Sequence, residues 1–97
     1  MQKIFRKGVG QLNKEIEELT LMLLYLTAWE EDVPPFGRHK RNWKSLSAEV
    51  LDRLDKEGLL VSSDKSDSVF LTSAGAIRAQ ALVQKYLGNS AVQLTNF

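Results

Sequence analysis

The chain has 97 residues, 43% of them hydrophobic, which suffices for one domain with one core and is too short for two. It has no cysteine and a single histidine, His39, so disulfides, thiolate nucleophiles and cysteine-bound zinc are excluded, and a metal site would rest on carboxylates. Thirteen basic and twelve acidic residues leave a net charge of +1, unlike the clearly basic footprint of most nucleic-acid binders.

Residues 1–12 place Ile4, Phe5 and Val9 among basic residues without a period and read as an N-terminal arm. This basic start lacks an apolar signal core, and the longest apolar run, residues 21–26, falls far short of the roughly 20 residues of a membrane helix. The expectation is a cytoplasmic protein with no membrane partner. Asn13 can cap a first helix, with Glu15, Glu17 and Glu18 in its first turns where the helix dipole favours negative charge. Leu12, Ile16, Leu19, Leu23 and Leu26 recur at helical spacing and predict a core stripe. From Leu21 onward Met22, Leu24, Tyr25, Ala28 and Trp29 fill the other faces as well, so this helix should be covered on both sides.

Residues 30–36, EEDVPPF, end the helix, because Pro34 and Pro35 cannot continue one, and residues 37–41, GRHKR, read as a loop. A second helix begins at Asn42 or Ser45 and runs to Glu57. Trp43, Leu46, Val50, Leu51 and Leu54 line its apolar side, and Glu49–Arg53 and Asp52–Lys56 pair along it four residues apart. Gly58 supplies the left-handed residue that commonly follows a helix C-terminus. Residues 59–61 then read as a strand, SSDKSD as a turn, and residues 68–71 as a second strand. Thr72 is placed to cap a last helix from Ser73 to about Leu87, stopped by Gly88. Gly75, Ala76, Ala79, Leu82, Val83, Tyr86 and Leu87 form its wide apolar face, and Ala74, Ile77 and Ala81 a second one.

The expected fold is α+β and winged-helix-like, in the order helix, helix, strand, strand, helix. Residues 1–12 form the arm, 13–88 the domain and 89–97 a tail ending in Val92, Leu94 and Phe97.

VLDRLDKEGLL, SVFLTSAG and the alanine-rich helix after them resemble the wing half of MarR-like and PadR-like regulators. With ELTLMLLYLTAWEE and a Trp-Lys pair before them, they are similar over residues 18–87 to a small bacterial family of uncharacterised winged-helix-like proteins. The resemblance implies a transcription-associated fold. MarR-like and PadR-like proteins carry a separate helix before the recognition helix, whereas residues 32–42 hold two prolines and a glycine and accommodate none.

Two functions follow as expectations. The first is DNA binding, with Arg38, Lys40, Arg41 and Lys44 on phosphate and Ser45 and Ser47 at base edges. Against it, the outer face of the second helix and the wing each sum to minus one. The second is a protein-interaction or assembly module on the same scaffold, since fold alone does not fix function. Met22, Tyr25 and Trp29 on the first helix and Ala74, Ile77 and Ala81 on the last are the expected homodimer surface, with core packing as the competing reading. No nucleophile sits beside a base and no glycine-rich phosphate loop is present, so neither an enzyme nor a cofactor is expected.

Overall fold

A computed structural model of the chain describes the backbone of residues 9–94 and the side chains of residues 12–88. The elements are α1 (Val9–Leu26), β1 (Trp29–Asp32), β2 (Arg38–Trp43), α2 (Ala48–Lys56), β3 (Leu60–Ser62), β4 (Ser68–Leu71) and α3 (Ser73–Leu94). The fold is α+β, with three helices and one antiparallel four-stranded sheet in the order β1-β2-β4-β3. The expected order of helix, helix, strand, strand, helix is therefore corrected by a hairpin between the first two helices.

That hairpin occupies the segment expected to be helix end and loop. Glu30 faces Lys40, Glu31 faces His39 and Asp32 faces Arg38 across the pair, so an acidic strand lies against a basic one. Opposite charges in register stabilise strand pairs of modest β-propensity. Between them Val33 N–H donates to the Gly37 carbonyl at 2.8 Å and Phe36 N–H to the Val33 carbonyl at 2.6 Å.

α1 stops at Leu26, three residues before the expected Trp29, because side chains take over its last carbonyls. The Thr27 hydroxyl donates to the Leu23 carbonyl at 2.7 Å, and Asn42 Nδ2 donates to the Leu24 carbonyl at 3.1 Å. At the other end α1 already includes Val9, so Asn13 is a mid-helix residue rather than a cap, and residues 9–12 are helix rather than arm. The expected arm residues Ile4 and Phe5 lie outside the described residues.

α2 begins at Ala48, not at Asn42 or Ser45, since Asn42 and Trp43 belong to β2. Its N-cap is Ser47, whose hydroxyl accepts from Val50 N–H at 3.4 Å. Both expected pairs form, Glu49–Arg53 at 3.0 Å and Asp52–Lys56 at 3.1 Å. Gly58 takes φ +78 after α2, and the chain returns as β3 and β4. The Thr72 hydroxyl accepts from Gly75 N–H at 3.0 Å and donates to the Gly58 carbonyl at 2.7 Å, joining the cap of α3 to the end of α2. Gly88 is non-helical (φ 68, ψ −155), as expected of a stop, yet helix resumes beyond it to Leu94. The side chains of Val92 and Leu94, and Phe97 entirely, lie outside the described residues.

The core joins Leu21, Met22 and Leu24 of α1, Val50, Leu51 and Leu54 of α2, Leu60, Val69 and Leu71 of the sheet, and Ala79, Leu82 and Val83 of α3. The stripe expected to enter it does so only at its C-terminal end, where Leu26 packs against the core, whereas Ile16, Leu19 and Leu23 are 37%, 62% and 47% exposed. Leu21, on the opposite side of the same helix, is fully buried. The apolar period of α1 thus located a helix but, before Leu26, pointed to the wrong side of it.

Candidate functional site

Side chains alternate between the two faces of the sheet, and the helices cover only one of them. Leu60, Val69 and Leu71 point into the core, while Asn42 reaches α1 and Lys40 lies over the Tyr25 ring at 5.2 Å. The other face carries one cross-strand row through all four strands, formed by Trp29, Arg41, Phe70 and Val61. His39 flanks this row on one side and Trp43 on the other.

The row is aromatic where an open sheet face is usually polar. The Trp29 and Trp43 rings lie 5.0 Å apart, and the Phe70 ring is 5.8 Å from Phe36 and 5.5 Å from His39. These separations suit tilted aromatic packing. Phe70 is buried beneath the others at 8% exposure, whereas Phe36 and Trp43 are 63% and 59% exposed. A depression of about 250 Å³ opens between Phe36, His39, Val61 and Phe70 and reaches Thr72 and Ser73 at the start of α3.

Polar atoms on this face are held in place. Arg41 donates to the Ser68 and Ser66 hydroxyls at 2.9 and 3.4 Å, pairs with Glu31 at 3.7 Å and lies 5.9 Å from the Phe70 ring centre. Trp29 Nε1 donates to Glu31 at 2.9 Å, and His39 Nε2 donates to the Phe36 carbonyl at 2.7 Å. Glu57 has its pKa raised, and it lies at the end of α2, remote from this face.

The six residues expected at DNA are dispersed. Arg38 and Lys40 lie on the helix-side parity of β2, both against Glu30, at 3.8 and 3.7 Å. Arg41 is on the open face, Lys44 donates to the Ser63 carbonyl, Ser47 caps α2 and Ser45 is exposed in the turn before it. A groove of about 340 Å³ between α2 and the β3–β4 turn is lined by Lys44 together with Asp52, Asp55 and Asp64. Even with Lys56 paired to Asp52, the carboxylates outnumber the ammonium groups there, which disfavours a phosphate backbone.

The six residues expected at a dimer contact are dispersed as well. Met22 is core, Tyr25 is half-buried under Lys40, and Trp29 has left the helix for the open sheet face. Ala74, Ile77 and Ala81 are exposed on α3. The sequence reading places Phe36 in the stretch that ends the first helix and Trp43 on the apolar side of the second. The signal for the hairpin was EED and RHKR on either side of a proline-glycine turn, with a tryptophan at each end.

Fold and site together define a small α+β domain with one sheet face open and lined by aromatic side chains. Residues 12–89 match the model of the family described as Domain of unknown function (DUF6429), and the chain belongs to that family. No curated protein and no solved structure matches it. The family match agrees with the expected uncharacterised family and carries no likeness to MarR-like or PadR-like regulators. Among the described residues, no helix is long and apolar enough to cross a membrane, and no group of three or more His, Asp or Glu could hold a metal ion.

Proposed function

We propose that this chain is a protein-interaction module on a winged-helix-like scaffold, and that it holds its protein partner on the open face of the sheet. The observation carrying the reading is the exposed pair Phe36 and Trp43 above the row of Trp29, Arg41, Phe70 and Val61. Aromatic side chains packed on one another and exposed to water are typical of protein contact surfaces, where Trp and Arg supply much of the binding energy. The scaffold reading is supported by α2 leading into the β3–β4 hairpin, with β2 alongside β4.

Duplex DNA is the less favoured partner. Arg38, Lys40 and Arg41 are each paired to a carboxylate, and the groove beside α2 is acidic. Titration with generic duplex DNA at low salt should give no appreciable binding. Binding that weakens steeply as salt rises would replace this reading by the DNA one. In cross-linked capture from the cells that express the protein, a specific partner should be retained by the wild type and lost by a Phe36→Ser, Trp43→Ala variant. Equal recovery by both would remove the sheet face from the proposal.

A further inference from the structure

The outward side of α1 carries a second surface, separate from the sheet. Leu12, Ile16, Leu19, Leu23 and Leu26 are spaced four, three, four and three residues apart, the alternation of a coiled-coil seam. Such a seam pairs with another helix rather than with a flat sheet or a loop. Among the described residues its middle is left uncovered, since Ile16, Leu19 and Leu23 are exposed, while Leu26 packs against the core and the opposite side of α1 meets α2 and α3. A helix apolar on both sides and covered on one lacks a neighbour.

The shape of the surface says which neighbour fits. Towards the N-terminal half of α1, a cavity of about 270 Å³ opens between Leu12, Ile16, Leu19 and Tyr86 of α3, with Glu15 and Glu18 at its rim. Further along the helix Leu23 is 47% exposed and lies outside the lining of this cavity. Leu19, itself part of the cavity lining, stands at the end of the hollow nearer Leu23. We infer that two copies of this chain pair through α1 in antiparallel orientation about a two-fold axis at Leu19. Leu23 of each copy then fills the Leu12–Ile16–Tyr86 hollow of the other, which is the reciprocal fit a two-fold interface requires. A parallel pairing sets hollow against hollow and Leu23 against Leu23. It leaves both hollows empty.

Size agrees with a modest dimer. α1 is 18 residues, about 27 Å, and the exposed Tyr86 on α3 widens the strip. Together they reach the lower end of stable interfaces, roughly 1,200 Å² in total, so dissociation in the micromolar range is expected. The surface differs from the expected dimer set, of which Met22 is core and Trp29 is on the sheet, and it leaves the proposed partner face free.

The test uses the full chain. Sedimentation equilibrium over micromolar to submillimolar concentration should show a reversible dimer, and Leu19→Glu should be a monomer with unchanged far-UV circular dichroism, because Leu19 is not core. The chain has no cysteine, so single cysteines report geometry directly. Leu19→Cys should oxidise to a covalent dimer and Leu23→Cys should not. A wild-type monomer throughout the range, or a Leu19→Glu variant that still dimerises, would overturn the pairing. Efficient self-cross-linking of Leu23→Cys would overturn its antiparallel sense.

Discussion

The first turn of α3 rests on the backbone of Leu59, and Gly75 is the residue that lets it. A Cβ placed on Gly75 would stand 2.8 Å from the Leu59 carbonyl carbon and overlap its oxygen. That same oxygen accepts from Thr72 N–H at 3.1 Å, so it cannot turn away without opening the cap of α3. The obstacle is backbone, which does not rotate aside as a side chain can. Gly75→Ala is therefore expected to destabilise the fold by about 2–3 kcal/mol despite alanine's better helix propensity. Urea unfolding should show the midpoint fall with little change in slope.

Asn42 holds the hairpin to the end of α1. Its amide donates to the Leu24 carbonyl at 3.1 Å and to the Thr27 hydroxyl at 2.7 Å, while its side-chain oxygen accepts from Trp43 N–H at 2.8 Å. Asn42→Ala leaves a helix-terminal carbonyl without this donor and should cost about 1–3 kcal/mol. Amide exchange should quicken in β1 and β2 before it does in β3 and β4.

Glu57 gives the stability a pH dependence of unusual sign. A hydrogen bond to the Glu17 carboxyl, then burial and the Glu17 charge, raise its pKa above the ordinary 4.5, with Lys14 and Arg53 opposing. The native chain thus holds this proton to higher pH than the unfolded chain does. Stability falls as pH rises from about 4.5 through the raised value, because the unfolded state releases its proton first. Glu57→Gln should raise the melting temperature slightly near neutral pH, and the gain should vanish well below the ordinary 4.5, where Glu57 is protonated in the folded and the unfolded chain alike. A gain that persists unchanged in acid would contradict the assignment.

Phe70 and Trp43 share the open face but not its energetics. Phe70→Ala removes a buried ring and should cost about 3–4 kcal/mol. Trp43→Ala removes an exposed one and should cost well under half of that, while altering the near-UV circular dichroism through loss of the Trp29 contact. Similar losses from the two substitutions would mean that Trp43 belongs to the core.

The second half of the chain was largely legible before any coordinates. Ser68 to Thr72 and Gly58 each act through local chemistry: β-branched and aromatic residues favour extended backbone, glycine takes positive φ, and threonine caps the next helix. Residues 29–43 were misread, because strand pairing there depends on opposite charges meeting across a turn between residues six to twelve apart, a relation that the three- and four-residue spacing of helices does not contain. Trp43 shows the consequence. Read as a helix residue its ring belonged to the core, and as a strand residue it stands on the open face.

Sequence alone determined the α+β class, the turn at Gly58, the caps at Thr72 and the two intrahelical ion pairs of α2, all of which are set by neighbours within about four residues. Only the tertiary structure decided that EED pairs with RHKR, that the aromatic row gathers on one sheet face, and that Ile16, Leu19 and Leu23 of the α1 stripe point outward. A periodic apolar pattern specifies that a helix has a side to bury. Which of two apolar sides meets the core is chosen by the shapes of α2, α3 and the sheet, and the side left over becomes the surface available to something else.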